Sequence, residues 1–198
     1  MKILVYQPRL LGDIILGTTA AQQLKNKYPG SKITYITGCK ALTETNPFID
    51  VALERKIPRR FEKRYFSWKR KKYDLSFFLL NWLPKANILQ DYMAQCGLDR
   101  CNYPIKLYLT DEDLAIARKY LEKQNLDNGR KKIAIQADFE RKWNETEFDK
   151  LRTMLTKNYN LVEIGYGMKL GFKKLNMRQA AAVISLCDVF VGGISGNM

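Results

Sequence analysis

Histidine is missing from the sequence altogether, and the four cysteines (Cys39, Cys96, Cys101 and Cys187) form no CxxC pair. Those gaps argue against a zinc site of thiolate and imidazole ligands, and against a Ser-His or Cys-His nucleophile among these residues. Scattered cysteines in a chain without an export signal read as reduced and buried. Long apolar runs are also missing: the longest, Leu75 to Leu83, is broken by Ser76 and Asn81 and is too short to span a bilayer. Arg9 and Asp13 interrupt the apolar start too early for a targeting signal. A soluble cytoplasmic protein is the expectation. Acidic residues are the scarcer charge, 20 against 34 Lys and Arg, which leaves a net charge of +14. Partners should therefore be anionic, and any chemistry falls to carboxylates and backbone amides.

What is present suits a globular chain. At 198 residues, 46% hydrophobic and 27% charged, it has enough apolar surface to bury a core. The excess charge is unevenly placed. Ten basic residues lie between Arg55 and Lys72 against the single acid Glu62. Arg59, Arg60, Lys63, Arg64, Lys69 and Arg70 are its centre. Phe61, Tyr65 and Trp68 recur at i, i+4 and i+7 within the run and share one face if it is helical. Three readings stay open. The face could lie on an anionic membrane surface, be a solvated connector whose aromatics cover the core edge, or bind strands of bases.

Strand and helix signals alternate along the chain. Lys2 to Tyr6 (KILVY) has the composition of a buried strand, and Ile14, Thr18, Ala21, Leu24 and Tyr28 follow at helical spacing before Pro29-Gly30. Lys32 to Thr37 is β-rich, so the first 37 residues read as a βαβ start with a right-handed crossover. Tyr73 to Leu80 reads as another buried strand, and Pro84 to Cys96 as a helix. Thr110 with Asp113 predicts a capped helix that ends in a polar stretch, Asn125 to Gly129, the best linker in the sequence. The pattern then restarts: strands at Lys132 to Gln136, Asn160 to Gly165 and Asp188 to Gly192, with helices capped by Asn144 and Asn176 between them. Two Rossmann-like domains with parallel sheets are expected, over residues 1–110 and 131–198, with the capped helix and linker at 111–130. The second domain has few strands and is expected to be incomplete.

Ligands in open parallel sheets bind beyond the carboxyl ends of the strands, where helix N-termini favour phosphate. Three loops qualify. In the first, Gln7 to Asp13, Gly12 allows close backbone approach and Asp13 stands at the start of a helix, where a plain N-cap role would also suit it. In the second, Gln136 to Asn144, Arg141 and Lys142 are placed to hold a diphosphate, or are an ordinary surface pair beside Trp143. The third, Gly192 to Met198, is glycine-rich. The glycines at 165, 167 and 171 miss the GxGxxG spacing, which argues against a nicotinamide enzyme.

In order, these segments resemble glycosyltransferase family 9, the bacterial heptosyltransferases of lipopolysaccharide core assembly. The opening MKILVYQPRLLGDIILGTTAAQQLKNKYPGSKITYIT and the closing DVFVGGISGNM carry the resemblance, with YDLSFFLL and the RKW loop between them. The resemblance implies a GT-B type α/β fold and an inverting, metal-independent transferase that needs no cofactor beyond its nucleotide-sugar donor. It implies Asp13 as general base, with Gly12 beside it. It implies Arg141 and Lys142 on the leaving diphosphate, Gln136 and Ala137 near the nucleotide, Leu175 against the base, and Ser195 and Gly196 at the phosphates. Heptose from ADP-heptose is the family's donor, and an anionic glycolipid or glycan at the inner face of the membrane its acceptor. Three departures stand out: Ile194 replaces a polar residue, the 165–176 segment is short without a ribose-binding acid, and the motif's next histidine would follow Met198. The 198-residue chain is thus expected to be truncated, to bind donor weakly and to transfer little. The alternatives are a basic nucleic-acid-binding α/β module or a non-catalytic remnant.

Overall fold

A computed structural model of the protein describes residues 1–8, 11–55, 58–79, 87–99, 103–126, 128–136, 145–165, 169–170 and 173–192. The chain divides into two units, Met1–Tyr108 and Leu109–Asn197. The first holds β1 (Lys2–Gln7), α1 (Leu11–Lys27), β2 (Lys32–Thr37), β3 (Val51–Glu54), α2 (Glu62–Lys69), β4 (Leu75–Phe78) and α3 (Ile88–Gln95). Its four strands are all parallel, in the order β3-β2-β1-β4.

Every residue of β1 after Lys2 is buried, as expected of a central strand covered on both faces. On one face Ile3 and Val5 meet Ala20, Ala21 and Leu24 of α1, and Tyr92 and Met93 of α3. Asn87 starts α3 by accepting from the Leu89 and Gln90 amides. On the other face Leu4, Tyr6 and Ile36 are covered by Tyr65 and Phe66 of α2. Phe66 stacks on Phe78 with ring centres 5.0 Å apart, and Tyr6 meets Phe78 edge-on at 4.9 Å.

The second unit holds α4 (Asp111–Lys123), β5 (Lys132–Gln136), α5 (Glu145–Thr156), β6 (Asn160–Ile164), a short hairpin of β7 (Lys169–Leu170) and β8 (Lys173–Lys174), α6 (Met177–Ser185) and β9 (Val189–Val191). Its parallel sheet runs β6-β5-β9. Ala117, Tyr120 and Leu121 of α4 pack with Ala182 and Val183 of α6 and Val162 of β6. Two of the expected capping boxes form, Thr110 with Asp113 and Asn176 with Gln179, and the third expected cap, Asn144, lies outside the described residues.

One device pins strand register in both units. An aspartate stands just before each of β3, β4 and β9. The carboxylates of Asp50, Asp74 and Asp188 accept the amides of Ile33, Lys2 and Lys132 at 2.7 Å each. Each aspartate's own amide donates back to the carbonyl of that same residue, at 3.0, 2.9 and 2.9 Å. A one-residue slip would break both bonds at once, so the clasp fixes which faces of the strands meet the core.

The structure departs from the sequence expectation in two places. Residues 111–130, expected between the domains, belong to the second unit, because α4 supplies part of its core. The described residues of the polar stretch after α4 are tied to the second unit: Asn160 Nδ2 donates to the Leu126 carbonyl at 3.0 Å and to Asn128 Oδ1 at 2.6 Å. Strand β3, short and partly exposed, was not expected from its composition.

Candidate functional site

In each sheet the chain builds outward on one side of its first strand and then returns to the other. The order reverses between β1 and β4 in the first unit, and between β5 and β9 in the second. Such reversal points open a crevice beyond the carboxyl ends of the strands. The sequence-predicted residues Gly12 and Asp13 fall at the first crevice, and Gln136 at the second.

Asp13 is the third residue of α1 and sits in its first turn, so it is not the cap itself. A carboxylate there is favoured by the helix dipole. It is half-buried, so it meets both protein and solvent. Gly12 is exposed, and a Cβ placed there would meet nothing within 4 Å. The fold itself does not require glycine at this position. It leaves open space beside Asp13.

A second glycine, which sequence reasoning missed, sets where α1 lies. A Cβ at Gly17 would stand 2.3 Å from the Tyr35 hydroxyl and 3.3 Å from Leu79 Cδ1. That hydroxyl donates to the Ile14 carbonyl at 3.3 Å. Tyr35 is fully buried, and burial, followed by its neighbours Tyr92, Cys96 and the charge of Asp13, holds its hydroxyl well above the usual range for tyrosine. The contact presses the first turns of α1 onto β2 and so positions Asp13. The only sequence signal was a second small residue five places after Gly12.

In the second unit Gln136 ends β5 and is half-buried. Its Oε1 lies 3.2 Å from where a Cβ at Gly192 would be, and the Phe190 ring lies 2.7 Å from that point. A methyl group at 192 would thus crowd the Phe190 ring of β9 first. Ala137, Arg141, Lys142, Ser195 and Gly196 lie outside the described residues. Leu175, expected against a nucleotide base, is only 8% exposed and packs with Val162 and Ala182. Its side chain is part of the second unit's core.

The basic run is surface, with one correction to its expected face. Arg59, Arg60, Lys63, Arg64 and Arg70 are exposed and Lys69 is half-buried. Phe61, Tyr65 and Trp68 do not act together: Tyr65 turns onto the sheet, while Phe61 and Trp68 remain 46% and 55% exposed. The sheet needs Tyr65 and Phe66 to cover Tyr6, and that decides which way the helix faces. Among the described residues no cluster of three His, Cys, Asp or Glu side chains is placed to hold a metal ion. No helix among them is long and apolar enough to cross a membrane.

No family model matches the sequence, and no curated protein matches it. Solved structures match the fold. A glycosyl transferase family 9 protein from Veillonella parvula matches over 98% of this chain and 75% of its own, with a TM-score of 0.77 at 18% identity. The ADP-heptose LPS heptosyltransferase II of E. coli matches over 97% of this chain and 78% of its own, with a TM-score of 0.69 at 17% identity. The E. coli heptosyltransferase WaaC, solved with ADP-2-deoxy-2-fluoro heptose, matches over 97% and 82%, with a TM-score of 0.62 at 14% identity. The chain has the fold of the family 9 glycosyltransferases. That GT-B type fold accounts for the two Rossmann-like units, each with a parallel sheet that reverses its strand order beside the first strand.

Proposed function

We propose that the protein is an inverting glycosyltransferase that uses a nucleoside diphosphate sugar and Asp13 as its base. The observation that carries this is the placement of Asp13: a half-buried acid in the first turn of α1, next to the exposed Gly12, at the reversal point of a sheet in this fold. In the reaction the acceptor oxygen bonds to the anomeric carbon from the face opposite the diphosphate. The bond from that carbon to the diphosphate oxygen breaks, and its electron pair leaves with the nucleotide. The acceptor proton passes to the Asp13 carboxylate.

The leaving diphosphate needs compensating charge. Arg141 and Lys142 would supply it where other transferases use a divalent cation, with the backbone at Ser195 and Gly196 adding amides. Gln136 and Ala137 would border the nucleotide. ADP-heptose is the first donor to try, because a protein of the same fold was solved with a fluorinated analogue of it. An anionic glycan such as a lipopolysaccharide core suits the net charge of +14 as acceptor.

The test compares the native chain with Asp13→Asn. Calorimetry should show ADP binding to both with similar affinity, whereas heptose transfer from ADP-heptose to core acceptor should fall by about 10²- to 10⁴-fold. Equal turnover by the two proteins would remove Asp13 as base, and failure of the native chain to bind ADP would remove the donor assignment.

A further inference from the structure

The 59–72 segment carries two large aromatic side chains that the core does not use. The inward side of α2 is already filled by Tyr65 and Phe66, which cover Tyr6 and Phe78. Phe61 and Trp68 stand outside at 46% and 55% exposure. Phe61 stands just before α2 and Trp68 near its end, with the exposed Arg64 between them along the chain. Leaving two such rings in water is unfavourable by the ordinary measure of apolar transfer.

Their electrostatic setting is one-sided. Glu62, the single acid of the run, is buried and paired with Arg55, so it offers no negative charge to the surface. Arg59, Arg60, Lys63, Arg64, Lys71 and Lys72 are all exposed around the aromatics. Cations also sit over the ring faces. The Arg60 guanidinium is 4.8 Å from the Phe61 ring centre, and the Lys69 and Lys72 ammonium groups are 5.2 and 5.6 Å from that of Trp68.

Those contacts discriminate between anionic partners. Strands of bases bind aromatic platforms through free ring faces, and here a cation already stands over each of the two rings. A bilayer interface asks for something else. Aromatic rings settle at headgroup level, while lysine and arginine stems lie along them and deliver their charges to the phosphates. We propose that the 59–72 segment docks the first unit on an anionic bilayer surface, with Phe61 and Trp68 in the headgroup layer and the surrounding Lys and Arg on lipid phosphates. This surface belongs to one unit and is independent of the catalytic assignment.

Co-sedimentation with lipid vesicles tests it. The native chain should pellet with phosphatidylcholine vesicles containing about a third phosphatidylglycerol and stay in solution with phosphatidylcholine alone. Phe61→Ala with Trp68→Ala should weaken binding by at least about tenfold, since both apolar anchors are lost. Lys63→Gln and Arg64→Gln should each weaken it by about fivefold and reduce its salt dependence. Both pairs of side chains lie at the surface, so the thermal melts of these variants should match the native one. The proposal is overturned if the native chain ignores anionic vesicles or if the double aromatic variant binds them normally. It is equally overturned if a single-stranded oligonucleotide displaces the vesicles and depends on the same two aromatics. ADP binding, measured separately, reports on the transferase reading and is indifferent to these outcomes.

Discussion

In the first unit β1 is covered on both faces, by α1 and α3 on one side and by α2 on the other. In the second unit the β6-β5-β9 sheet has its core on α4 and α6, and Val189 and Phe190 of β9 stand about half exposed. The clasping aspartate and the reversal of strand order are common to both. The difference lies in how the surrounding surface is finished. A parallel sheet needs cover on both faces, and the first unit supplies it from its own helices. Both units bury their central strand, and the second adds a buried ion pair between α4 and α6, Asp113 with Arg178.

The largest effect on stability should come from the polar side of this contrast. The Asp113 carboxylate is buried in the second unit and accepts from Arg178 Nε at 2.5 Å and from the Thr110 hydroxyl at 2.7 Å. Burial works to raise its pKa, but the hydrogen bonds from Arg178 and Thr110 outweigh this and hold the carboxyl below its usual range. Arg178→Met leaves that charge unpaired and should cost about 3 kcal/mol, read by urea denaturation. The pH dependence follows from the lowered pKa. The pair's contribution is complete above the usual carboxylate range, near pH 4, and is lost as pH falls through the depressed value. Arg178→Met should remove that acid-dependent step.

Packing comes next. Gly17→Ala in the first unit drives a methyl group into the Tyr35 hydroxyl, 2.3 Å away and buried, and should cost about 1–3 kcal/mol. Tyr35→Phe removes the colliding oxygen, so the double variant should be more stable than the sum of the two single losses requires. Simple additivity would mean that the hydroxyl is not what confines Gly17.

The smallest effects are expected at glycines beside the crevices. Gly192→Ala meets the Phe190 ring, which is exposed enough to swing aside, and Gly12→Ala meets nothing. Both should change stability by no more than about 1 kcal/mol, Gly12→Ala in the favourable direction because alanine suits a helix better. If Gly12→Ala leaves stability intact yet impairs sugar transfer, the open space there serves a substrate. A large loss of stability from Gly192→Ala would place the packing of the β5 and β9 ends on the same footing as that of α1.

Much of the frame was legible because it is written in short spacings. KILVY and KITYIT are uninterrupted β-formers, and the Thr110–Asp113 and Asn176–Gln179 boxes need only residues three apart. The position of Asp13 in the first turn of a helix was legible for the same reason. The role of Gly17 was hidden, since its constraint comes from Tyr35, eighteen positions away on a neighbouring strand. Leu175 could not be sorted between core and ligand from its neighbours in sequence, because that depends on α4 and α6 meeting.

By itself the sequence determined the alternation of strands and helices, the helix starts and the excess of positive charge, all of which follow from neighbouring residues. Only the tertiary structure decided that α4 belongs with the second unit, that Tyr65 turns inward while Trp68 stays out, and that three aspartates lock strand register. Those outcomes depend on contacts between residues far apart along the chain. Local pattern leaves several of them open, and burial against a particular partner selects one.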